Sequence, residues 1–306
     1  GEPAQVRGER VLYIDETSSA RDKKRSNIEV VIPVKNEELN LPHTLASVME
    51  WADKVWVVDS GSTDKTCEIA RAAGAEVVEQ TWLGYAKQKN WALNNLDIKS
   101  EWIYLLDADE TILPKLKDEL CAIAARPVIE VSQSAFNINR YFIFLGKRIR
   151  HCGYYPSWNV RFFKHGKAFY EDRDVHEHMI VDGKIGKLKG HMEHYDRRGL
   201  ECYLEKHNLY STLEAKEIII QPEKSGITIE GKFFGNVQER RRWIKHNIYP
   251  RLPVKWFFRF FWMYIFRLGF LDGVNGVRFC LFISTYEIFI SLKMIEYKKK
   301  LTPPND

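Results

Sequence analysis

The chain has 306 residues, 45% of them apolar and 28% charged, which excludes a disordered polymer and fits one large domain with an appendage, or two domains. Its net charge of +5 is unevenly spread: residues 231–300 hold fourteen Lys or Arg against four Asp or Glu, so the rest of the chain is net acidic. Basic residues set among bulky aromatics point to an anionic membrane surface as the partner of residues 232–300, and away from nucleic acid.

In chain order, residues 1–27 are polar and charged and read as a mobile arm or expression remnant, not a secretory signal, although VLYI (11–14) could add a short edge strand. IEVVIPV (28–34) is a β-branched run of the kind that forms a buried strand. Asn40 stands as N-cap of a helix with Pro42 in its first turn and Leu41, Leu45, Val48 and Met49 on one face. KVWVVD (54–59) predicts a second strand. GSTDKTCEIARAAG (61–74) predicts a turn, a helix capped by Asp64 and a glycine stop. AEVVEQ (75–80) is a third strand, 84–96 a helix and EWIYLLD (101–107) a fourth strand. Strands alternating with helices predict an α/β fold, a Rossmann-like, mostly parallel sheet with helices on both faces. Ligands of such sheets bind beyond the carboxyl ends of the strands, where Val34, Asp59 and Asp107 fall.

After a helix near 114–125 come short aromatic strand candidates, SAFNINRYFIFLGKRI and WNVRFFKHGKAFY, then an amphipathic helix at 199–218 and a loop at 221–226. These divide the chain into a catalytic body at 28–225, with a nucleotide-binding half (28–110) and an acceptor half (111–225), and a basic, aromatic, helical appendage at 226–306. In that appendage, 256–270 contains Arg259 and Arg267, and 277–295 contains Glu287 and Lys293. Such charges suit helices lying in a membrane interface better than spanning it. The plainer alternative is two helices packed on the body. Five cysteines without a CxxC pair predict reduced thiols and a cytoplasmic location.

The chemistry centres on YLLDADET (104–111). Asp107 and Asp109, two apart on an extended segment, put their carboxylates on one side, with Ala108 leaving room for a ligand to approach the backbone. Two hard oxygen donors suit Mg²⁺ or Mn²⁺ bridged to phosphates. Asp-x-Asp-x-Thr after an apolar strand also opens haloacid-dehalogenase-type phosphatases, with Asp107 as nucleophile. That reading needs the aspartate on the first core strand and a later acidic pair after an apolar strand; the chain has neither.

VVIPVKNEELNL, VWVVDSGSTDKT and IYLLDADE stand in the order and spacing in which this chain resembles the family 2 glycosyltransferases of the GT-A fold. The resemblance is strong over 28–125. RFFKHG, DVHEHMIVDGKIGKLKGHMEHY and YLEKHNLYS are similar to the subgroup that adds glucose to the inner-core heptose of lipopolysaccharide. It implies metal-dependent, inverting transfer of a sugar, glucose, from a UDP-sugar to a lipopolysaccharide-core or lipid-linked saccharide, by an enzyme peripheral on the inner face of the cytoplasmic membrane. Pro33 and Glu37 would then flank the base and ribose, and Asp59 would accept the uracil imide N–H. Asp107 would face ribose and metal, and Asp109 would bind the metal directly. Family members often carry two acids after the second strand where this chain has Asp59–Ser60.

Each role has a plainer counterpart. Asp59 could cap its turn. Lys89 shares a helix face with Ala86, Leu93 and Leu96, so it either snorkels or meets an anion, the donor diphosphate. Inverting transfer needs a base, and YEDRDVHEH (170–178) is dense with candidates. The resemblance favours Glu177, oriented by His176, with Asp172 next; a solvated charge run is the bland reading. His191 and His194 are spaced three apart, and His194 could complete a metal shell. Arg161 and Trp158 could contact donor phosphate or sugar, or Arg161 could lie on the surface. Two further rivals are a sugar-nucleotide pyrophosphorylase, whose Gly-rich loop is missing from PVKNEE, and an inactive membrane-bound saccharide-binding scaffold.

Overall fold

The computed structural model describes residues 26–171, 178–220, 234, 239, 240, 243 and 254–301. VLYI at 11–14, the loop at 221–226 and the base candidates Asp172, His176 and Glu177 lie outside the described residues.

Strands β1 (Ile28–Val34), β2 (Lys54–Asp59), β3 (Glu76–Glu79) and β4 (Trp102–Leu105) alternate with helices α1 (Leu41–Ala46), α2 (Thr66–Ala72) and α3 (Tyr85–Asn95). The strands lie in the order β3–β2–β1–β4, all parallel. Alternate residues of each central strand enter two cores on opposite faces. Val30, Ile32, Val57 and Tyr104 join one, and Val31, Val58, Ile103 and Leu105 the other. Burial on both faces is why these strands read as continuous apolar runs.

The chain continues through β5 (Glu110–Ile112), α4 (Pro114–Ala124), β6 (Gln133–Phe144), β7 (Lys147–Ile149), β8 (Trp158–Lys164), the small hairpin β9 (Ala168–Tyr170) and β10 (Met179–Val181), and β11 (Lys184–His194). The sheet runs on from β4 as β8–β6–β11–β5, with β8 antiparallel to β4 and β6, and β11 parallel to β6. In a flat sheet β4 and β5 would stand roughly 19 Å apart. Residues 106–109 alone join them, and these include a turn closed by Glu110 N–H donating to the Asp107 carbonyl at 3.0 Å. The sheet therefore curls and brings its last strand back beside β4. Trp102 stacks on Phe162 at 4.6 Å across the β4–β8 seam. Gly190 of β11 lies against the backbone of Leu116 in α4, where a Cβ would approach to 2.4 Å.

Asn40 departs from its expected part. It makes no capping bond; fully buried, its amide donates to Glu37 and Asp196 and its carbonyl oxygen accepts the Arg197 N–H. It ties the loop after β1 to the loop after β11. Asp64 does hold the Thr66 N–H at the start of α2.

Helix α5 (Gly199–Ile220) runs two residues beyond its expected end. The appendage folds as α6 (Lys255–Phe261), a π-helical turn (Trp262–Phe266), a 3₁₀ turn (Gly269–Asp272) and α7 (Gly273–Leu301). Buried Phe279, Cys280 and Ile283 of α7 pack with Met263 on Phe142, Phe144, Ile149 and Cys152 of the body, and Ile290 and Met294 pack on Ala215 of α5. The appendage is thus docked on the body, yet Trp256, Phe257, Phe258, Trp262, Phe266, Phe270 and Leu271 remain exposed. Among the described residues no helix is long and apolar enough to cross a membrane.

Candidate functional site

The carboxyl ends of β1, β2 and β4 meet at one edge. The loop after β1 is knit to the loop after β2 by Asn36 N–H to Ser62 Oγ, Thr63 N–H to the Asn36 side-chain oxygen and Glu37 N–H to Thr66 Oγ1. Beside them β4 ends in the turn at 107–110. That turn corrects the expectation of an extended Asp-x-Asp: the two carboxylates turn toward different partners. Asp107 pairs with Arg161 of β8 through Oδ2 and stands 3.5 Å from Lys89 Nζ through Oδ1. Asp109 Oδ2 faces His194 Nε2 at 3.1 Å and Lys206 Nζ at 3.5 Å.

Glu110, absent from the sequence reading, organises this turn. It is fully buried, takes Arg161 at 2.9 Å and Arg140 at 3.2 Å, and accepts the Asp107 N–H at 3.2 Å. Arg161 is accordingly buried, not a surface residue, and its guanidinium is engaged by Asp107 and Glu110. Lys89, on the same helix face as buried Ala86 and Leu93, does meet an anion, but that anion is Asp107; its ammonium also lies 4.8 Å over the Tyr170 ring. Ala108 is 5% exposed and packs into the core, with its carbonyl accepting the Thr44 hydroxyl at 2.6 Å, so it leaves no open approach to the backbone. Burial raises the carboxyl of Asp107, but Arg161 and then Lys89 overcome it and hold it below the usual range. Burial also opposes charge on Asp109, and His194 and Lys206 hold it well below the usual range.

Pro33 is the penultimate residue of β1 and half-buried. Asp59, opposite Val34, is buried and accepts the N–H groups of Gly61 and Ser62, the turn-capping part anticipated for it. Glu37 pairs with Arg198 at 2.9 Å, and Arg198 in turn forks onto Asp196 at 2.9 and 2.6 Å. Burial pushes Glu37 up to about 7, outweighing the shared Arg198, and Asp109 adds to the rise. Asp196, Arg198 and Lys206 also escape the sequence reading. Their signals are faint: an acid and two arginines in YDRRG, and a lysine on a helix face.

A cavity of about 220 Å³ opens beside Asp107, lined by Lys89, Asn137, Trp158, Asn159, Val160, Arg161, Tyr170, His178 and Met179. Trp158 is 40% exposed there. The segment that carries Asp172, His176 and Glu177 leaves and rejoins the described chain at this wall. Glu171 N–H donates to the His178 carbonyl at 3.0 Å, and the fully buried Glu171 carboxylate stands 3.0 Å from His178 Nδ1. His191 belongs elsewhere, stacked on Tyr141 at 4.4 Å and 3.0 Å from the Tyr155 hydroxyl.

Do these residues fit a divalent cation? Two neighbouring ligands of an octahedral ion, each at about 2.1 Å, stand about 3 Å apart, and Asp109 Oδ2 and His194 Nε2 are separated by 3.1 Å. His194 Nδ1 is buried without a partner. A carboxylate with an imidazole is a donor pair that Mn²⁺ and Mg²⁺ accept. Asp107, engaged by Arg161 and Lys89, does not join them, and among the described residues no three His, Cys, Asp or Glu cluster as a complete cage. The Asp109–His194 pair fits an ion whose remaining ligands come from substrate and water.

Comparison with known proteins places the chain among sequence and structural relatives. Residues 29–180 match Glycosyl transferase family 2. An uncharacterized glycosyltransferase of Rickettsia typhi is 30% identical over 213 residues, 64% of this chain and 70% of that protein. Another from Rickettsia bellii is 32% identical over 214 residues, 64% and 69% of the two chains. Among solved structures, the mannosyltransferase PcManGT of Pyrobaculum calidifontis in complex with GDP-Man and Mn²⁺ aligns with a TM-score of 0.49 at 15% identity, over 88% of this chain and 87% of that one.

The Glu37 proton has a measurable consequence. Its folded-state value of about 7 lies above the usual 4.5, so the stability it brings is complete below 4.5 and is lost as pH rises through about 7. Glu37→Gln should remove that decline from a plot of urea midpoint against pH. An identical decline in the mutant would assign it to another group.

Proposed function

Because the chain belongs to glycosyl transferase family 2, we propose that it moves glucose from UDP-glucose, with inversion, to an amphiphilic saccharide acceptor, the lipopolysaccharide core or a lipid-linked sugar. The observation that carries the donor half is the convergence of Glu37, Asp59, Asp107 and Asp109 on one edge of the sheet, with His194 beside Asp109. Pro33 and Glu37 flank the base and ribose. Asp59, whose carboxylate is held by the Gly61 and Ser62 N–H groups and the Ser62 hydroxyl at the carboxyl end of β2, accepts the uracil imide N–H.

Asp107, fixed by Arg161 and Lys89, faces the ribose. Asp109 and His194 would hold Mn²⁺ or Mg²⁺, which when bound supplies positive charge to the donor diphosphate. Glu177 takes the proton of the acceptor hydroxyl, His176 orients it, and Asp172 is the alternative base. Support comes from the two ends of their segment, joined at the cavity wall next to Asp107. Trp158, exposed at that cavity, offers a face on which a sugar ring can stack. The exposed aromatics of α6 and the turns after it, with exposed Arg267 and Arg278 nearby in sequence, suit a headgroup layer of anionic lipid. We therefore infer a peripheral enzyme of the cytoplasmic membrane's inner face. The phosphatase alternative loses its nucleophile, since Asp107 follows the fourth strand, not the first, and is held by two cations.

Three experiments test this reading. In calorimetry, UDP should bind at least about tenfold tighter with Mn²⁺ than without, and Asp109→Ala should erase that gain. Wild-type protein indifferent to Mn²⁺ would remove the donor assignment. Glu177→Gln should lower kcat by about 10²–10⁴ while UDP affinity holds; full turnover in that mutant passes the base to Asp172. The triple change Phe258→Ser, Trp262→Ser and Phe266→Ser should weaken binding to anionic liposomes by about tenfold or more. Unchanged binding would leave the appendage as packing alone.

A further inference from the structure

Two nitrogen-bearing side chains address one oxygen at the site. His194 Nε2 and Lys206 Nζ both approach Asp109 Oδ2, at 3.1 and 3.5 Å, and the Asp109 side chain is only 8% exposed. Lys206 projects from α5, one turn before Tyr210, whose ring meets Tyr85 edge-on at 5.8 Å. The helix thus lays an ammonium on the carboxylate that, in the reading above, receives the divalent ion. An ammonium and a divalent cation on the same oxygen repel each other, and in a poorly hydrated pocket that repulsion is little screened. Lys206 therefore gives Asp109 a counter-charge before any ligand arrives.

A lysine is suited to give up such a place. Its charge sits at the end of a flexible four-carbon stem with three rotatable donors, so it can move to a neighbouring oxygen without a change of helix position. An arriving diphosphate supplies those oxygens.

We propose that Lys206 is the resident counter-ion of Asp109 in the free enzyme and transfers to a phosphate oxygen when the sugar nucleotide binds, so that metal and donor enter together. The inference rests on the donor site proposed above. In the free protein Lys206 keeps the buried carboxylate paired and disfavours a lone divalent ion. In the complex its ammonium is placed to meet the extra negative charge that develops on the departing nucleoside diphosphate. Arg198, eight positions earlier and committed to Asp196 and Glu37, holds the start of α5 while Lys206 moves.

The test measures Mn²⁺ alone and UDP separately. Free Mn²⁺ is followed by electron paramagnetic resonance, without nucleotide, in wild type, Lys206→Met and Lys206→Arg, each checked for folding by circular dichroism. Lys206→Met should bind Mn²⁺ at least tenfold tighter than wild type and bind UDP, with Mn²⁺ saturating, at least tenfold more weakly. Lys206→Arg, which keeps the charge, should retain weak Mn²⁺ binding and recover most of the UDP affinity. Should Lys206→Met fail to fold, Lys206→Gln carries the same expectations. Equal Mn²⁺ affinity in wild type and the neutral variant, with wild-type UDP binding intact, overturns the role of Lys206 and leaves the donor site standing. Wild type that binds no UDP with Mn²⁺ present overturns both.

Discussion

Three carboxylates, Asp107, Asp109 and Glu110, are gathered within four residues at the end of β4, and the last two are buried. Carboxylates withdrawn from water must be paired, because removing one partner of a buried pair costs about 3–5 kcal/mol. Much of the architecture around the site answers that demand. Strand β8 delivers Arg161, β6 delivers Arg140, β11 delivers His194, and helices α3 and α5 deliver Lys89 and Lys206. The curl of the sheet is the geometric condition, since only a curled sheet carries β11 and β5 back to the turn at 107–110.

The pairing divides the acids by role. Asp107 and Glu110 are closed by buried Arg161, and Glu110 also by half-buried Arg140, whose planar, permanently charged forks fix a carboxylate in place. That half of the site is rigid and presents Asp107 to the cavity lined by Lys89 and Trp158. Asp109 is closed by an imidazole and a lysine, groups that rotate and exchange partners. A glycosyltransferase needs both properties in adjacent residues: a fixed wall against which the donor is oriented, and an exchangeable carboxylate that accepts a changing load of positive charge.

The appendage shows how one sequence stretch serves two demands. Along α7, residues at positions 276, 279, 280, 283, 287, 290 and 294 face inward at helical spacing. They dock the helix on α5 and β6 through an aromatic cluster around Phe279, which touches Phe142, Phe144 and Tyr154. The aromatics of α6 and the turn after it have no such neighbours to absorb them all, and several remain at the surface. Docked and exposed aromatics are therefore successive parts of the same segment, and reading the appendage as either packing or interface alone describes only half of it.

By itself the sequence determined the alternation of strands and helices over 28–125, the placement of Asp59 and Asp107 at strand ends, the lysine on an apolar helix face and the family. These are local properties, written in apolar runs, caps and short motifs whose meaning does not depend on distant residues. Only the tertiary structure decided which charges meet. Arg161, His194 and Lys206 reach Glu110 and Asp109 from 51, 85 and 97 positions away. The turn at 107–110 sends two aspartates that look coaligned to separate partners, and Asn40 spends its side chain on Asp196 across the fold instead of on its own helix. The physical reason is that a buried carboxylate takes whatever cation the strand register and the curl of the sheet bring within reach, and neither register nor curl leaves a local trace in the residues around it.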